Sequence, residues 1–334
     1  MTASVELSPT RENFARLSEP HRAGLRRYCY RMLGGLLDAD DLVQETYLRA
    51  WRSLDAFRGG SFRGWLYAIA TRACLDEIAR RKSKRRWLPD QLDPLREGEH
   101  GPSPETRWLE PFPETHEIAD EAMGPEARYA ARESVRLAFV AAIQQLSPRQ
   151  RAALLLCDVL GWPAAQAAET LDASLASLNS LLQRARKEMA GRYSSPIEQG
   201  APTAAQRALL TRYVQAWENH DIDALVATLK ADARCVMPPW RLCLPNRAAI
   251  AAFFVQAWGG CPGLRLTPLA ANGQHGFAAY QRRPDGHFAA NALHVLTLDG
   301  AAIETLSLFL DEEARLFEAF GLPRQMAPHD GSDG

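Results

Sequence analysis

The sequence predicts a multidomain chain in which two all-α helical domains are followed by an α+β domain, and three observations predict it. Residues 11–87 and 133–192 carry apolar residues at helical spacing, whereas residues 264–310 alternate in short stretches, the period of strands. Charge then separates the pieces. Residues 11–87 hold 17 Arg/Lys against 9 Asp/Glu, a net of +8, and residues 89–128 hold 3 against 11, a net of −8. The whole chain is nearly neutral at −1, with six of the seven residues Arg80 to Arg86 basic. A protein that merely coated DNA would be basic throughout, so this concentration implies DNA binding under control.

The expected domains are 11–87, an acidic Pro-rich linker 88–132, 133–192, and 204–322. The linker reads as poorly ordered and the tail from Met326 as disordered, and a second break lies at 193–203. No apolar run reaches the length of a membrane span, and the N-terminus has no apolar stretch behind a basic start. Cytoplasmic localisation without membrane attachment is therefore expected. The six cysteines show no metal-ligand spacing, so reduced thiols are expected, with neither metal nor cofactor.

In the first domain, Phe14, Leu17, Leu25, Tyr28, Cys29 and Met32 make a helical stripe that Gly34-Gly35 stops. Asp38 is expected to cap the next helix, DADDLVQETYLRAW, whose buried face would be Leu42, Val43, Thr46, Leu48 and Ala50. Asp41, Gln44, Glu45, Arg49 and Arg52 then form a polar face, which periodicity alone reads as solvated. The following loop clusters Phe57, Phe62, Trp65 and Tyr67 beside Arg58 and Arg63. Aromatics interleaved with arginines suit unpaired bases, which stack on rings while arginine neutralises phosphate; the competing reading is an aromatic minicore. Beyond it, Ile69, Ala73, Ile78 and Ala79 would face inward, and Arg72, Asp76, Arg80 and Arg81 outward. Dipole compensation alone does not explain so many charges, because it fades within one turn.

In 133–192, Ser147-Pro148 reads as a cap followed by proline at the first helical position. Leu154, Leu155 and Val159 line one face, Gly161 ends the helix, and Pro163 opens a short second one. Ala168, Leu171, Leu178 and Leu181 are spaced as the core of a helix-turn-helix with its turn at Asp172-Ala173-Ser174. That leaves Ser174 as cap, Ala176, Ser177, Asn179, Ser180 and Gln183 facing a major groove, and Arg184, Arg186 and Lys187 near phosphates. A plain helical hairpin would instead carry Glu and Lys on that face.

Together these motifs resemble the bacterial RNA polymerase sigma factors of the extracytoplasmic-function type, over residues 11–192. The resemblance implies that the first domain is sigma region 2 and the second the helix-turn-helix region 4, with core RNA polymerase and promoter DNA as partners. Carried over, Asp41, Gln44, Glu45, Leu48, Arg49 and Trp51 would touch the polymerase. The loop from Phe57 to Trp65 would hold an extruded −10 base, and Arg72, Asp76, Arg80 and Arg81 would meet the −10 region. The recognition helix would enter the −35 major groove. The linker would thread into the polymerase cleft; a simple tether is the alternative.

In 204–322, two helices meeting at Asp221, a strand DARCVMPP, a helix NRAAIAAFFVQAW, and strands at 264–270, 276–282, 287–298 and 301–310 resemble the SnoaL-like cone. Candidate lining residues of an apolar pocket are Tyr213, Trp217, Val236, Met237, Trp240, Phe253, Phe254, Trp258, Tyr280, His294 and Phe309. Some cone-fold enzymes use an Asp or His there as acid or base. His294 has no evident Asp partner, so the domain reads as regulatory, through a small apolar ligand or an intramolecular contact, and the chain as a non-enzyme. The alternatives are a SnoaL-like cyclase or isomerase fused to DNA-binding domains, and a repressor using the helix-turn-helix alone.

Overall fold

The computed structural model describes residues 9–81, 85–92, 106–113, 136–193 and 202–328. They form two compact units: one joins the chain up to Arg86 with Glu117–Ser194, the other joins Trp87–His116 with the chain from Ser195. The two helical domains thus share a unit, and part of the linker belongs with the C-terminal domain. The expectations of poor order in the linker at 93–105 and 114–132 and of disorder in the tail from 329 onward, and the lysines Lys82 and Lys84, lie outside the described residues.

The first unit begins with α1 (Phe14–Ser18), α2 (Arg22–Leu33), α3 (Leu36–Arg52) and α4 (Phe62–Arg80). Gly34, at φ 71°, ends α2 in the left-handed conformation that glycine adopts without strain. The Tyr28 hydroxyl donates to Thr71 Oγ1 at 2.7 Å, and Thr71 donates to the Tyr67 carbonyl at 2.7 Å, so the buried hydroxyls of α2 and α4 are satisfied. Helix α3 starts three residues earlier than expected: Gly35 is its cap, and Asp38 sits inside the first turn, where its carboxylate takes arginines instead. Leu48 is not core. It is 49% exposed, and Leu36 and Ala39 extend the buried face in its stead. On α4 the inward stripe is Leu66, Tyr67, Ala70, Ala73, Cys74 and Ile78, while Ala79 is exposed and Ile69 half-buried. That stripe follows the 3.6-residue period more closely than the expected set.

The unit continues with α5 (Leu137–Gln144), α6 (Pro148–Leu154, extended by a π-turn over Leu155–Val159), α7 (Ala164–Thr170) and α8 (Leu175–Ala190). Ser147 and Gln150 close a capping box around Pro148 at the start of α6. Arg151, 1% exposed, lies beyond what motif reading singles out. Its guanidinium donates to the carbonyls of Ile143 (3.0 Å), Gln144 (2.9 Å), Leu146 (3.3 Å) and Met32, and to Gln144 Oε1 (2.7 Å). Gln144 Nε2 in turn donates to the Arg31 carbonyl at 3.0 Å. Arg151 therefore closes the C-terminal end of α5 and bonds it to the end of α2. Burial lowers its pKa to about 9, so it stays protonated at neutral pH.

The second unit holds α9 (Ala204–Glu218), α10 (Ile222–Thr228), β1 (Leu229–Val236), β2 (Cys243–Leu244), α11 (Arg247–Trp258), β3 (Leu264–Ala271), β4 (Gln274–Arg282), β5 (Phe288–Asp299), β6 (Ala302–Leu310), α12 (Arg315–Ala319) and β7 (Gln325–Met326). Strand order is β2-β1-β6-β5-β4-β3, with β7 beside β5; β1 runs parallel to β6 and the other pairs are antiparallel. Thr203, Asp221 and Asn246 cap α9, α10 and α11 through their side chains. Strand alternation puts Ala233, Cys235, Phe277, Ala279, Ala292, Leu296, Leu306 and Leu308 on the face covered by these helices. Residues of opposite parity, among them Val236, Tyr280, Val295 and Phe309, are buried but lie outside that core.

Linker residues 106–113 are structured rather than loose. Trp108, Leu109 and Phe112 are buried, Trp87 pairs with Trp108, and Phe112-Pro113 runs along Asn272-Ala271 at the β3–β4 turn.

Candidate functional site

On the outer side of α3, Asp41, Gln44, Leu48 and Trp51 are exposed, and Glu45 and Arg49 half-buried. Steps of three and four residues place them on one surface. Leu48 and Trp51, at 49% and 40% exposure, are large apolar side chains left in water. Arg49 donates to Glu45 at 2.8 Å and to Asp76 of α4 at 2.7 Å, and these bonds raise its pKa. The residues expected to meet polymerase thus join two expected to meet DNA, Asp76 and Arg80, around a cavity of about 440 Å³. Asp41, Glu45, Arg49, Asp76, Glu77 and Arg80 supply its charged lining.

The aromatic loop turns at Gly59 and Gly60, whose φ of 91° and 84° disfavour any side chain, and α4 begins at Phe62 under a Ser61 cap. Phe57, Phe62 and Trp65 contact one another at centroid separations of 5.3–6.0 Å, and Phe14 joins Phe62 to Trp51. An aromatic cluster is therefore present. Phe57, Phe62 and Trp65 nevertheless stay half-exposed, with Arg58 and Arg63 open to solvent beside them.

The basic end of α4 divides. Arg72 and Arg80 are open, at 54% and 79% side-chain exposure. Arg81 is not on the open side: at 8% exposure it bonds Glu77 at 2.7 Å and Asp38 at 3.0 Å, and Arg86 reaches the same Asp38 at 2.5 Å. A carboxylate in the first turn of α3 captures both arginines, so charge counting overestimates how much of this charge faces solvent.

In the helix-turn-helix, Asp172 takes φ 46° at the turn, and the Ser174 hydroxyl accepts from Ser177 N at 3.2 Å, starting α8. Leu178 and Leu181 are buried, and Ser174, Ala176, Ser177, Asn179, Ser180, Gln183, Arg184 and Arg186 are all exposed. Arg186 is held by Asp158 through bonds of 2.9 and 2.7 Å. Leu175 went unnoticed in the sequence; it is 52% exposed at the first turn, where an apolar side chain suits a thymine methyl. Its place directly after the cap was the available signal.

In the C-terminal domain, Tyr213, Trp217, Met237, Phe254 and Trp258 belong to the core, with Trp240 and Phe253 partly buried against it. Val236, Tyr280 and Phe309 do not line this interior, because strand parity turns them to the other face; Tyr280 packs on Phe317 at 5.1 Å. The Tyr213 hydroxyl and His294 Nδ1 share a hydrogen bond of 2.9 Å, and burial lowers the histidine pKa to about 3. Burial raises Tyr213 well above its usual value, so both are neutral near pH 7, and a base this weak is poorly matched to proton abstraction there.

Residues 17–84 match the Sigma-70 region 2 family, 136–189 the Sigma-70 region 4 family and 210–305 the SnoaL-like domain family. These family matches define a transcription initiation subunit with a third domain fused behind it. Over 326 residues the chain is 43% identical to the ECF RNA polymerase sigma factor SigG of Mycobacterium tuberculosis, covering 94% of this chain and 85% of that one. SigJ of the same organism is 31% identical over 214 residues, 64% of this chain and 61% of that one. The crystal structure of M. tuberculosis SigJ superposes with a TM-score of 0.60 at 21% identity, covering 92% of this chain and 99% of that one, and so shares the fold. The chain belongs to the ECF RNA polymerase sigma factors and carries a C-terminal SnoaL-like domain.

Proposed function

We propose that this sigma factor docks on core RNA polymerase through the exposed face of α3, reads the −35 element with α8, and captures the −10 strand with the Phe57–Trp65 loop and Arg72, Asp76 and Arg80. The observation that carries this reading is the exposure of Leu48 and Trp51 on the same helix face as Asp41 and Gln44. Apolar side chains left in water beside fixed charges suit a protein partner. Arg81 supports the −10 surface from within and does not touch DNA. The chain works in the cytoplasm, where its partners are, and among the described residues no helix is long and apolar enough to cross a membrane. The SnoaL-like domain regulates and does not catalyse, a reading supported by the neutral Tyr213–His294 pair, and acts by intramolecular contact rather than through a small apolar ligand.

Transcription with purified core polymerase on fragmented genomic DNA tests the assignment, with start sites mapped by sequencing. Discrete starts that depend on the added chain, and that vanish with Leu48→Asp, are expected. Initiation no better than with core enzyme alone overturns it.

A further inference from the structure

Among the described residues four large apolar side chains stand in water: Leu48, Trp51, Leu175 and Val255. Leu48 and Trp51 belong to the α3 surface, and Val255 to the SnoaL-like domain. Leu175 is the first residue of α8, the helix assigned to the −35 groove, and is 52% exposed. A single exposed leucine is ordinary on a protein surface, so its meaning here comes from its position. The fold does not need it, because Leu178, Leu181, Leu182, Ala185 and Met189 already make the buried face of α8.

That position is held in advance. Ala173 N donates to the Ala168 carbonyl at 2.9 Å, Leu178 N to the Ser174 carbonyl at 2.9 Å and Ser177 N to the Ser174 hydroxyl at 3.2 Å, while Arg149 donates to the Leu171 carbonyl. The chain entering α8 is therefore fixed, and in a helix-turn-helix the N-terminal residues of the second helix are those that reach base edges. Asn179, also exposed, stands one helical turn further on, its Cβ about 5–6 Å from that of Leu175. Base pairs rise about 3.4 Å each, so the two side chains fall on base pairs one or two steps apart.

An apolar side chain finds one partner in the major groove, the C5-methyl of thymine. The asparagine carboxamide both donates and accepts, the pattern that matches N7 and N6–H of adenine. From Ser174 to Gln183 the sequence has no charged side chain. The arginine or lysine that reads guanine and the carboxylate that reads cytosine are thus missing from this half of α8. We infer that Leu175 selects a thymine by its methyl group and Asn179 an adenine one or two base pairs away, so that the N-terminal half of α8 reads A·T pairs. The inference rests on the placement of α8 in the −35 groove proposed above. Arg184 and Arg186 then add affinity without sequence, through phosphate.

Changing one chemical group of the DNA at a time tests it, on holoenzyme assembled from the full-length chain and purified core polymerase with a promoter duplex whose start site has been mapped. Thymines of the −35 element are replaced singly by uracil, which deletes the methyl alone. One replacement is expected to weaken binding by the parent chain about fourfold, the worth of one buried methyl, and to leave Leu175→Ala unaffected. Replacing an adenine one or two base pairs from that thymine by 7-deazaadenine should weaken the parent about fivefold and leave Asn179→Ala unaffected. Leu175→Met, which keeps an apolar side chain, should retain the uracil penalty. Both alanine variants should keep the parent's melting temperature, because the side chains they shorten are exposed. Uracil tolerated by the parent at every position, or a uracil penalty undiminished in Leu175→Ala, overturns the inference. Ser180→Glu separates that failure from a misplaced helix. A carboxylate on the exposed side of α8 should weaken promoter binding by about tenfold or more when α8 lies in the groove, and equal binding by Ser180→Glu and the parent removes the −35 reading itself.

Discussion

The end of α4 and helix α8 both display clustered arginines, and the structure uses the two clusters in opposite ways. At the end of α4, Arg81 and Arg86 turn inward onto Asp38, at 8% and 9% side-chain exposure. On α8, Arg184 and Arg186 stay outside with the small polar residues around them. The difference teaches that charge density in sequence marks where arginine is concentrated, not where phosphate is met. A cation buried on a carboxylate of a neighbouring helix, as Arg81 and Arg86 are on Asp38, is an internal strut, whereas Arg186 stays 60% exposed even though it bonds Asp158. Arg151 extends the inward class, exchanging water for five carbonyl and carboxamide bonds. His294 meets the same burial differently, because imidazole can give up its proton where guanidinium cannot.

The largest effect is expected at Arg151. Arg151→Ala strips hydrogen bonds from buried carbonyls of α5 and from Met32, and should destabilise the first unit by about 3–5 kcal/mol. Arg184→Ala should leave stability within about 0.5 kcal/mol of the parent. Urea unfolding followed by circular dichroism compares them, and similar midpoints for the two variants would remove the inward–outward distinction.

A smaller effect distinguishes the two ways of burying a cation. The folded pKa of His294 is about 3, below its unfolded value, so the unfolded chain binds the extra proton. Its contribution to stability is complete above about pH 6.5 and is lost as pH falls toward the folded pKa. Between pH 7 and pH 5 that loss is about 2 kcal/mol. Replacing His294 with Gln should flatten the slope of melting temperature against pH in that interval. An equal slope in parent and variant would show that His294 is not buried neutral.

Elements whose ends carry their own chemistry are legible in sequence: the Ser147-Pro148 and Ser174 caps, Asp221 before α10, and the alternating strands β3 to β6. The outward faces of α3 and α8 are legible too, because their period is local. What is not legible depends on a partner distant along the chain. Arg81 and Leu48 were assigned from local spacing, yet Arg81 meets a carboxylate 43 positions earlier, and Leu48 is left 49% exposed. Val236, Tyr280 and Phe309 read as pocket residues because they are large and apolar, and only the sheet reveals on which side they fall. Arg151 was within reach of sequence reading: three positions before Leu154 and four before Leu155, it lies on the inward stripe of α6. The linker composition argued for disorder, whereas the turn that grips it lies at Asn272, 160 positions away from Phe112.

The finest test asks which arginines touch phosphate. Each phosphate neutralised by the protein contributes about 0.9 to the slope of log affinity against log salt. Arg184→Ala, measured by fluorescence anisotropy on a duplex carrying a mapped promoter, should lower that slope by about 0.9 at unchanged melting temperature. Arg186 is already held by Asp158, so its removal should lower the slope by less. Arg81→Ala should leave the slope alone and lower the melting temperature, because it removes a partner of Asp38 and Glu77 rather than a contact with DNA. Were Arg81→Ala to change the slope while stability held, its inward orientation would be a property of the free chain alone, and DNA would compete with Asp38 for the same guanidinium.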